Sequence, residues 1–203
     1  MKIDKIEEYD KKRCRIICDD RFSFLLYKGE LHKFGLKENS IITNELYQKI
    51  ICEVLSKRAL ARCYNLLDKR MYTVKQLRDK LYQSYYPSVA IDSAINRCVE
   101  QGFLNDSEYA YKYLSSAINK KSINIIKCEL LQKGISKDTI EEVIELAGDE
   151  GVIQNTAELI RTLLLKRHFY DEAATPEKRA KEYRYLLGKG FSSSDILQEI
   201  NLT

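Results

Sequence analysis

Glu129-Leu130-Leu131-Gln132-Lys133-Gly134-Ile135 decides the fold, because a related string, Tyr185-Leu186-Leu187-Gly188-Lys189-Gly190-Phe191, stands 56 residues further on. At that offset Leu130 falls on Leu186, Lys133 on Lys189, Gly134 on Gly190, Ser136 on Ser192, Ile140 on Ile196 and Ile144 on Ile200. A second offset, of 49, works in the other direction. Ala61 falls on Ala110, Tyr64 on Tyr113, Thr73 on Ser122, Leu81 on Leu130, Gln83 on Gln132, Ile91 on Ile140, Ile95 on Ile144 and Gly102 on Gly151. Self-similarity at such periods is the mark of a repeat architecture. Three copies of one unit fill roughly 57–203, and the longer offset, of 56, fits an extended loop around His168–Thr175.

Each unit reads as three short helices. In the second, Asp106 is placed to cap a helix whose apolar residues Tyr109, Ala110, Tyr113, Leu114 and Ala117 follow the 3.6 period. Ser122 caps the next, with Ile123, Ile126, Leu130 and Leu131, and Gly134 ends it in a left-handed C-cap. Ser136 opens the third, with Ile140, Val143, Ile144 and Ala147 on one face. The first unit offers Thr73 and Gln76 as a capping box and Gly102 as its stop. In the third, Thr175-Pro176-Glu177 is a cap followed by proline in the first turn. The expected fold is mainly α: three tandem three-helix repeats at 57–104, 105–150 and 151–203, in an elongated, curved array whose neighbours share faces.

Residues 1–56 have another texture. Arg13–Cys18 and Phe22–Tyr27 are short and β-compatible, with Asp19-Asp20-Arg21 as the turn, so a hairpin or a three-stranded sheet with Ile3–Glu8 is expected. Gly29 and Gly35 bracket a loop, and from Thr43 the pattern returns to helix through Leu46, Ile50 and Val54. This makes a small α+β extension at the N-terminal end.

Composition agrees with a helical reading and removes several function classes. The 203 residues include two prolines and eight glycines, too few for a sandwich with frequent turns. No apolar run reaches a membrane-spanning length, and the charged start lacks an apolar signal segment, so a cytoplasmic, soluble, monomeric protein is expected. The six cysteines fall mostly singly on apolar helical positions, as reduced thiols do, and His32 and His168 stand alone, so neither a metal nor a cofactor is expected. Phosphate-loop, dinucleotide and metalloprotease motifs are absent, and with two histidines there is little material for a catalytic pair. The acidic run Glu141, Glu142, Glu145, Asp149 and Glu150 reads as a solvated helix face. The chain is therefore read as a non-enzyme.

The net charge of +4 hides an uneven distribution: +1 over 1–56, +5 over 57–104, −3 over 105–150 and +1 over 151–203. Such alternation suits a mixed partner, protein and nucleic acid together, better than bare duplex. Lys69, Arg70, Lys75, Arg78 and Lys80 gather where the first and second helices of the first repeat meet. Lys75 and Arg78 are three apart and share a face, close to a helix N-terminus that attracts phosphate. Lys120, Lys121 and Lys127 take corresponding places in the second repeat, and Lys178, Arg179, Lys181 and Arg184 in the third. Of the fourteen tyrosines, most serve packing, while Tyr82, Tyr85 and Tyr86 are candidates to stack on bases.

Two stretches carry a family resemblance. Glu100-Gln101-Gly102-Phe103-Leu104-Asn105-Asp106-Ser107-Glu108-Tyr109-Ala110-Tyr111-Lys112-Tyr113 resembles the apolar-glycine-apolar turn and aromatic-alanine helix start of the RecX family, regulators of the RecA recombinase. Glu129 to Ile135 is similar to its E-L-x-x-K-G-I signature, with Glu129, Leu130, Lys133 and Gly134 at the signature positions, and the Gly190 string resembles the third-repeat version. The resemblance covers about 57–203 and is loose over 1–56. It implies three tandem repeats that bind in the groove of the RecA filament on single-stranded DNA and modulate strand exchange and ATP hydrolysis, with inhibition the expected sense. Where family members have a glycine opening the second helix of the middle repeat, this chain has Lys121-Ser122-Ile123, which alters the local backbone and surface. The other reading the residues leave open is an autonomous DNA-binding protein whose trihelical units read duplex like helix-turn-helix modules.

Overall fold

The computed structural model describes residues 1–19, 22–171 and 175–201, and divides into two compact units, Met1 to Asn105 and Asp106 onward. In the first, β1 (Ile3–Glu8), β2 (Arg13–Cys18) and β3 (Phe22–Tyr27) form an antiparallel sheet in the order β1-β2-β3. The strand bounds are those read from β-propensity. Of the turn expected at 19–21, Asp19 is left-handed, at φ 47°, while Asp20 and Arg21 lie outside the described residues. Alternation along β2 sends Cys14, Ile16 and Cys18 into the core, where Ile16 lies opposite Phe24 and Cys14 opposite Leu26. Arg13, Arg15 and Ile17 take the other face.

The expected loop between Gly29 and Gly35 is instead helix α1 (Lys28–Lys33). Glu30 closes its first turn by accepting the Tyr27 N–H at 2.8 Å, and Gly35, at φ 62°, ends it. Helix α2 (Asn44–Ile50), capped by Thr43, runs through a π-helical turn (Ile51–Leu55) straight into α3 (Ser56–Leu67). Helices α4 (Val74–Gln83) and α5 (Ser88–Glu100) complete the first trio. Sheet and trio share one core: Ile16, Phe24 and Leu26 belong to the same cluster as Leu55, Leu77, Leu81 and Ile91.

The second unit holds α6 (Asp106–Ala117), α7 (Ile123–Gln132) and α8 (Lys137–Asp149), then α9 (Thr156–Lys166), α10 (Pro176–Gly188) and α11 (Ser193–Asn201). Asp106 is the first residue of α6 rather than the residue before it, so its charge favours the helix dipole from within the first turn. Thr73, Ser122, Ser136 and Thr175 cap their helices as expected. Leu81, Leu130 and Leu186 are each fully buried.

Gly134 and Gly190 stand just past α7 and α10 at φ 90° and 79°. In both, the glycine N–H bonds three residues back and the next N–H bonds five back, to Leu130 and Leu186, giving a Schellman end. The matching position after α4 holds Tyr85 in the same left-handed conformation, φ 61°, with Tyr86 N–H bonded to Leu81. His168 does likewise after α9 at φ 58°, its ring 2.8 Å from the Asp171 carboxylate. Two of the six cysteines, Cys52 and Cys128, are exposed, and the other four are buried. Burial pushes the Cys63 thiol up to about 12, with Cys98 beside it, so neither core thiol is a nucleophile near neutral pH.

Candidate nucleic-acid interface

The three capped second helices place the predicted basic residues in three different settings. In the first repeat Lys69 and Arg70 are exposed in the turn leading to α4, with the Arg70 guanidinium 4.4 Å from the Tyr72 ring centroid. The capping box forms: Thr73 Oγ1 accepts the Gln76 N–H and Gln76 Oε1 accepts the Thr73 N–H, at 3.2 and 3.3 Å. Lys75 is exposed in the following turn, and Lys80 is exposed at the far end of the helix. Arg78 departs from expectation. It is half-buried, and its Nη1 lies 2.6 Å from the Asp92 carboxylate on α5, so it does not stand with Lys75 as a solvent-facing cation.

The middle repeat has the same cap and a different neighbour. Ser122, 2% exposed, accepts the Ile125 N–H and donates to the Lys189 carbonyl at 2.6 Å. Asn124 Nδ2 donates to the Gly190 carbonyl at 2.9 Å. Gln154 adds a third link. Its Nε2 donates to the Ile118 and Lys121 carbonyls, both at 2.7 Å, and its Oε1 accepts the Ile123 N–H at 3.1 Å. The N-terminus of α7 is thus filled by backbone and side chain from residues 154–190 and leaves no open turn for a phosphate. Sequence reasoning missed Gln154 and Asn124. The cap read at Ser122 was the available signal, since both residues bond at the helix start that it marks.

Lys121 also turns inward. Its Nζ lies 2.5 Å from Glu129 and 3.3 Å from the Tyr113 hydroxyl, which itself donates to Glu129 at 2.5 Å. These bonds from Lys121 and Tyr113 hold the Glu129 carboxyl below the usual carboxylate range, and the bond to Glu129 raises Lys121. The Lys133 ammonium sits 5.3 Å from the Tyr113 ring centroid. Two charged residues of the E-L-x-x-K-G-I string are therefore engaged in tying α7 to Tyr113 of α6. In the third repeat Lys189 and Arg167 approach the Tyr185 ring instead, at 5.5 and 4.0 Å. Lys120 remains exposed in the middle repeat and Lys127 is half-buried.

In the third repeat Lys181 and Arg184 are exposed on α10, the latter donating from Nε to the Ala180 carbonyl at 3.2 Å. Lys178 is half-buried, 5.8 Å from the Phe169 ring centroid, and Arg179 is half-buried with its Nε unbonded among the described residues. Arg167 is paired with the buried carboxylate of Glu182. The exposed cations that the structure leaves on the predicted surfaces are Lys69, Arg70, Lys75, Lys80, Lys120, Lys181 and Arg184.

Comparison with known proteins finds the same division into trios. Residues 59–98, 105–144 and 155–200 match the models for the first, second and third three-helix domains of RecX. Proteins named regulatory protein RecX are 30% identical in Clostridium botulinum strain Alaska E43, over 97% of this chain and 92% of the relative, and 31% identical in Clostridium acetobutylicum, over 96% and 92%. A crystal structure of regulatory protein RecX is similar over 100% of this chain and 99% of its own, with a TM-score of 0.65 and 26% identity. RecX from Lactobacillus salivarius is similar over 73% of this chain and 97% of its own, with a TM-score of 0.59 and 27% identity. With three repeats matched in order and likeness running nearly end to end, the chain belongs to the RecX family of regulatory proteins.

Proposed function

We propose that this chain binds RecA and its filament on single-stranded DNA and restrains filament growth, ATP hydrolysis and strand exchange, as a non-enzymatic regulator of recombination and DNA repair. The observation that carries this reading is the ordered match of three RecX domains, supported by the basic surfaces that flank their second helices. In this reading 1–56 is an extension, and 57–104, 105–150 and 151–203 are the working repeats. The exposed cations of the first and third repeats meet DNA phosphates. The acidic middle repeat, with Glu141, Glu142 and Glu145 exposed, lies against protein. RecA-dependent ATP hydrolysis on single-stranded DNA, measured with and without the chain, tests it. A fall in rate that saturates with added chain is expected, and an unchanged rate overturns the proposal. Tight duplex binding without RecA, together with an unchanged rate, would instead favour autonomous helix-turn-helix units.

A further inference from the structure

Where the N-terminal sheet meets the first matched domain, β2, β3 and α3 enclose a cleft of about 380 Å³ together with the turn after α4, within the range of about 300–1,000 Å³ that small-ligand sites occupy. Its walls carry Arg13, Arg58 and Arg62 and no carboxylate. Asp10 holds Arg13 at 2.7 Å and Glu30 holds Arg58, so both guanidiniums are fixed in place. Each lies near a tyrosine ring, Arg13 at 5.1 Å from Tyr9 and Arg58 at 4.2 Å from Tyr27. Arg62, one turn after Arg58 on α3, is exposed and makes no ion pair among the described residues. Tyr85 closes the cleft. It occupies the left-handed position that the other two repeats give to Gly134 and Gly190, and its ring meets Tyr9 edge-on at 5.7 Å and Arg15 at 4.6 Å. A tyrosine kept where glycine is the unstrained choice points to a use for its side chain.

We infer that this cleft is a binding site for one or two unpaired nucleotides of single-stranded DNA, with bases stacked among Tyr9, Tyr27 and Tyr85 and a phosphate on Arg62. Tyr9 and Tyr27 stay nearly half exposed, at 47% and 43%, so ring surface is available to a base. Duplex does not suit the cleft, because its base faces are already stacked on one another. An acidic peptide suits it less well than a nucleotide, since two of the three arginines are already paired and the remaining surface is aromatic. The inference rests on the reading of this chain as a partner of single-stranded DNA, and is independent of RecA.

Fluorescence anisotropy of a labelled short oligothymidylate, titrated with the full chain, tests it in two variants. Arg62→Ala removes an exposed, unpaired cation. Tyr85→Gly removes the ring while suiting the left-handed backbone, so its fold is kept. Arg62→Ala is expected to weaken binding about threefold to tenfold and to flatten the log–log salt slope by about 0.7. For Tyr85→Gly the expected weakening is about tenfold with the slope unchanged. Iodouracil oligonucleotides should cross-link to Tyr9, Tyr27 or Tyr85. If both variants bind as the unsubstituted chain does and cross-links map to α4 or α10, the cleft assignment fails while the DNA reading stands. No oligonucleotide binding by the unsubstituted chain overturns both. Displacement by polyglutamate as effective as by unlabelled oligonucleotide would assign the cleft to an acidic protein and overturn the inference.

Discussion

Thr73 and Ser122 hold the same place in neighbouring repeats, both almost wholly buried, both capping the second helix, and the two caps are built differently. Thr73 shares a reciprocal box with Gln76, and the turn beyond it presents Lys75 to solvent. Ser122 spends its hydroxyl proton on the Lys189 carbonyl, with Gly190 so close that a Cβ there would lie 2.7 Å from Ser122 Oγ and 3.0 Å from Ile125 Cγ1. One local motif thus takes the form of a reciprocal box with Gln76 in the first repeat and of a cap tied to the Lys189 carbonyl in the second. What separates them within the first turn is its third residue, Gln76 against Ile125, since only the glutamine side chain can reach back to the N–H of the capping residue.

The sharpest way to break this comparison is Gly190→Val. The side chain meets both the left-handed penalty and the Ser122 contact, so a loss of about 3 kcal/mol is expected in chemical denaturation. Gly134→Val suffers the left-handed penalty at φ 90°, with an expected loss of at least about 1 kcal/mol. A loss at Gly190 no larger than the left-handed penalty alone, about 1–2 kcal/mol, would show that the Ser122 contact adds nothing to it.

Much of this was legible in the chain itself. β-Propensity put three strands at their observed bounds, and helix signals put Thr73, Ser122, Ser136 and Thr175 at the helix starts they cap, because each of these signals acts within a few residues. Helix α1 escaped, since its first turn depends on Glu30 reaching back to Tyr27, which resembles a loop when Gly29 is read alone. The basic residues were legible as charge but not as availability. Arg78 is neutralised by Asp92 on another helix, and Lys121 by Glu129, eight residues on. Tyr85 was legible in principle, because the 49-residue offset places it on Gly134; only the backbone angle shows why that matters.

A second pair of substitutions tests the two caps. Ser122→Ala removes the N-cap and leaves the Lys189 carbonyl without its donor, an expected loss of about 2 kcal/mol. Thr73→Ala removes one half of a capping box, with an expected loss of at least about 1 kcal/mol. Combining Ser122→Ala with Gly190→Val should recover about 1 kcal/mol relative to additivity, because the atom in the way has gone. Strict additivity would place the Gly190 strain elsewhere.

A smaller effect follows from the inward turn of Lys121. The Glu129 carboxyl lies below its ordinary value of 4.5 in the folded chain, so its contribution is present above that value and is lost as pH falls through the folded value. The pair is partly exposed, and about 0.5 kcal/mol is the expected size. Denaturation midpoints of Glu129→Gln and the unsubstituted chain should converge as pH drops below 4.5, while a constant gap would assign the difference to packing.

The smallest effect concerns α4, where Lys75 is exposed and Arg78 half-buried although they stand three residues apart on one helix. Lys75→Ala should leave the fold intact and flatten the salt dependence of binding to single-stranded DNA by about 0.7 in log–log slope, the share of one phosphate contact. Arg78→Ala should leave the slope unchanged, because Asp92 already occupies the guanidinium at 2.6 Å and a phosphate would have to displace it. Affinity measured across a salt series decides between them. If Arg78→Ala flattens the slope as much as Lys75→Ala, Asp92 gives way to DNA and both cations count. If neither changes it, this face is merely solvated, and Lys181 and Arg184 on α10 become the cations to substitute, since they are exposed on the second helix of the third repeat.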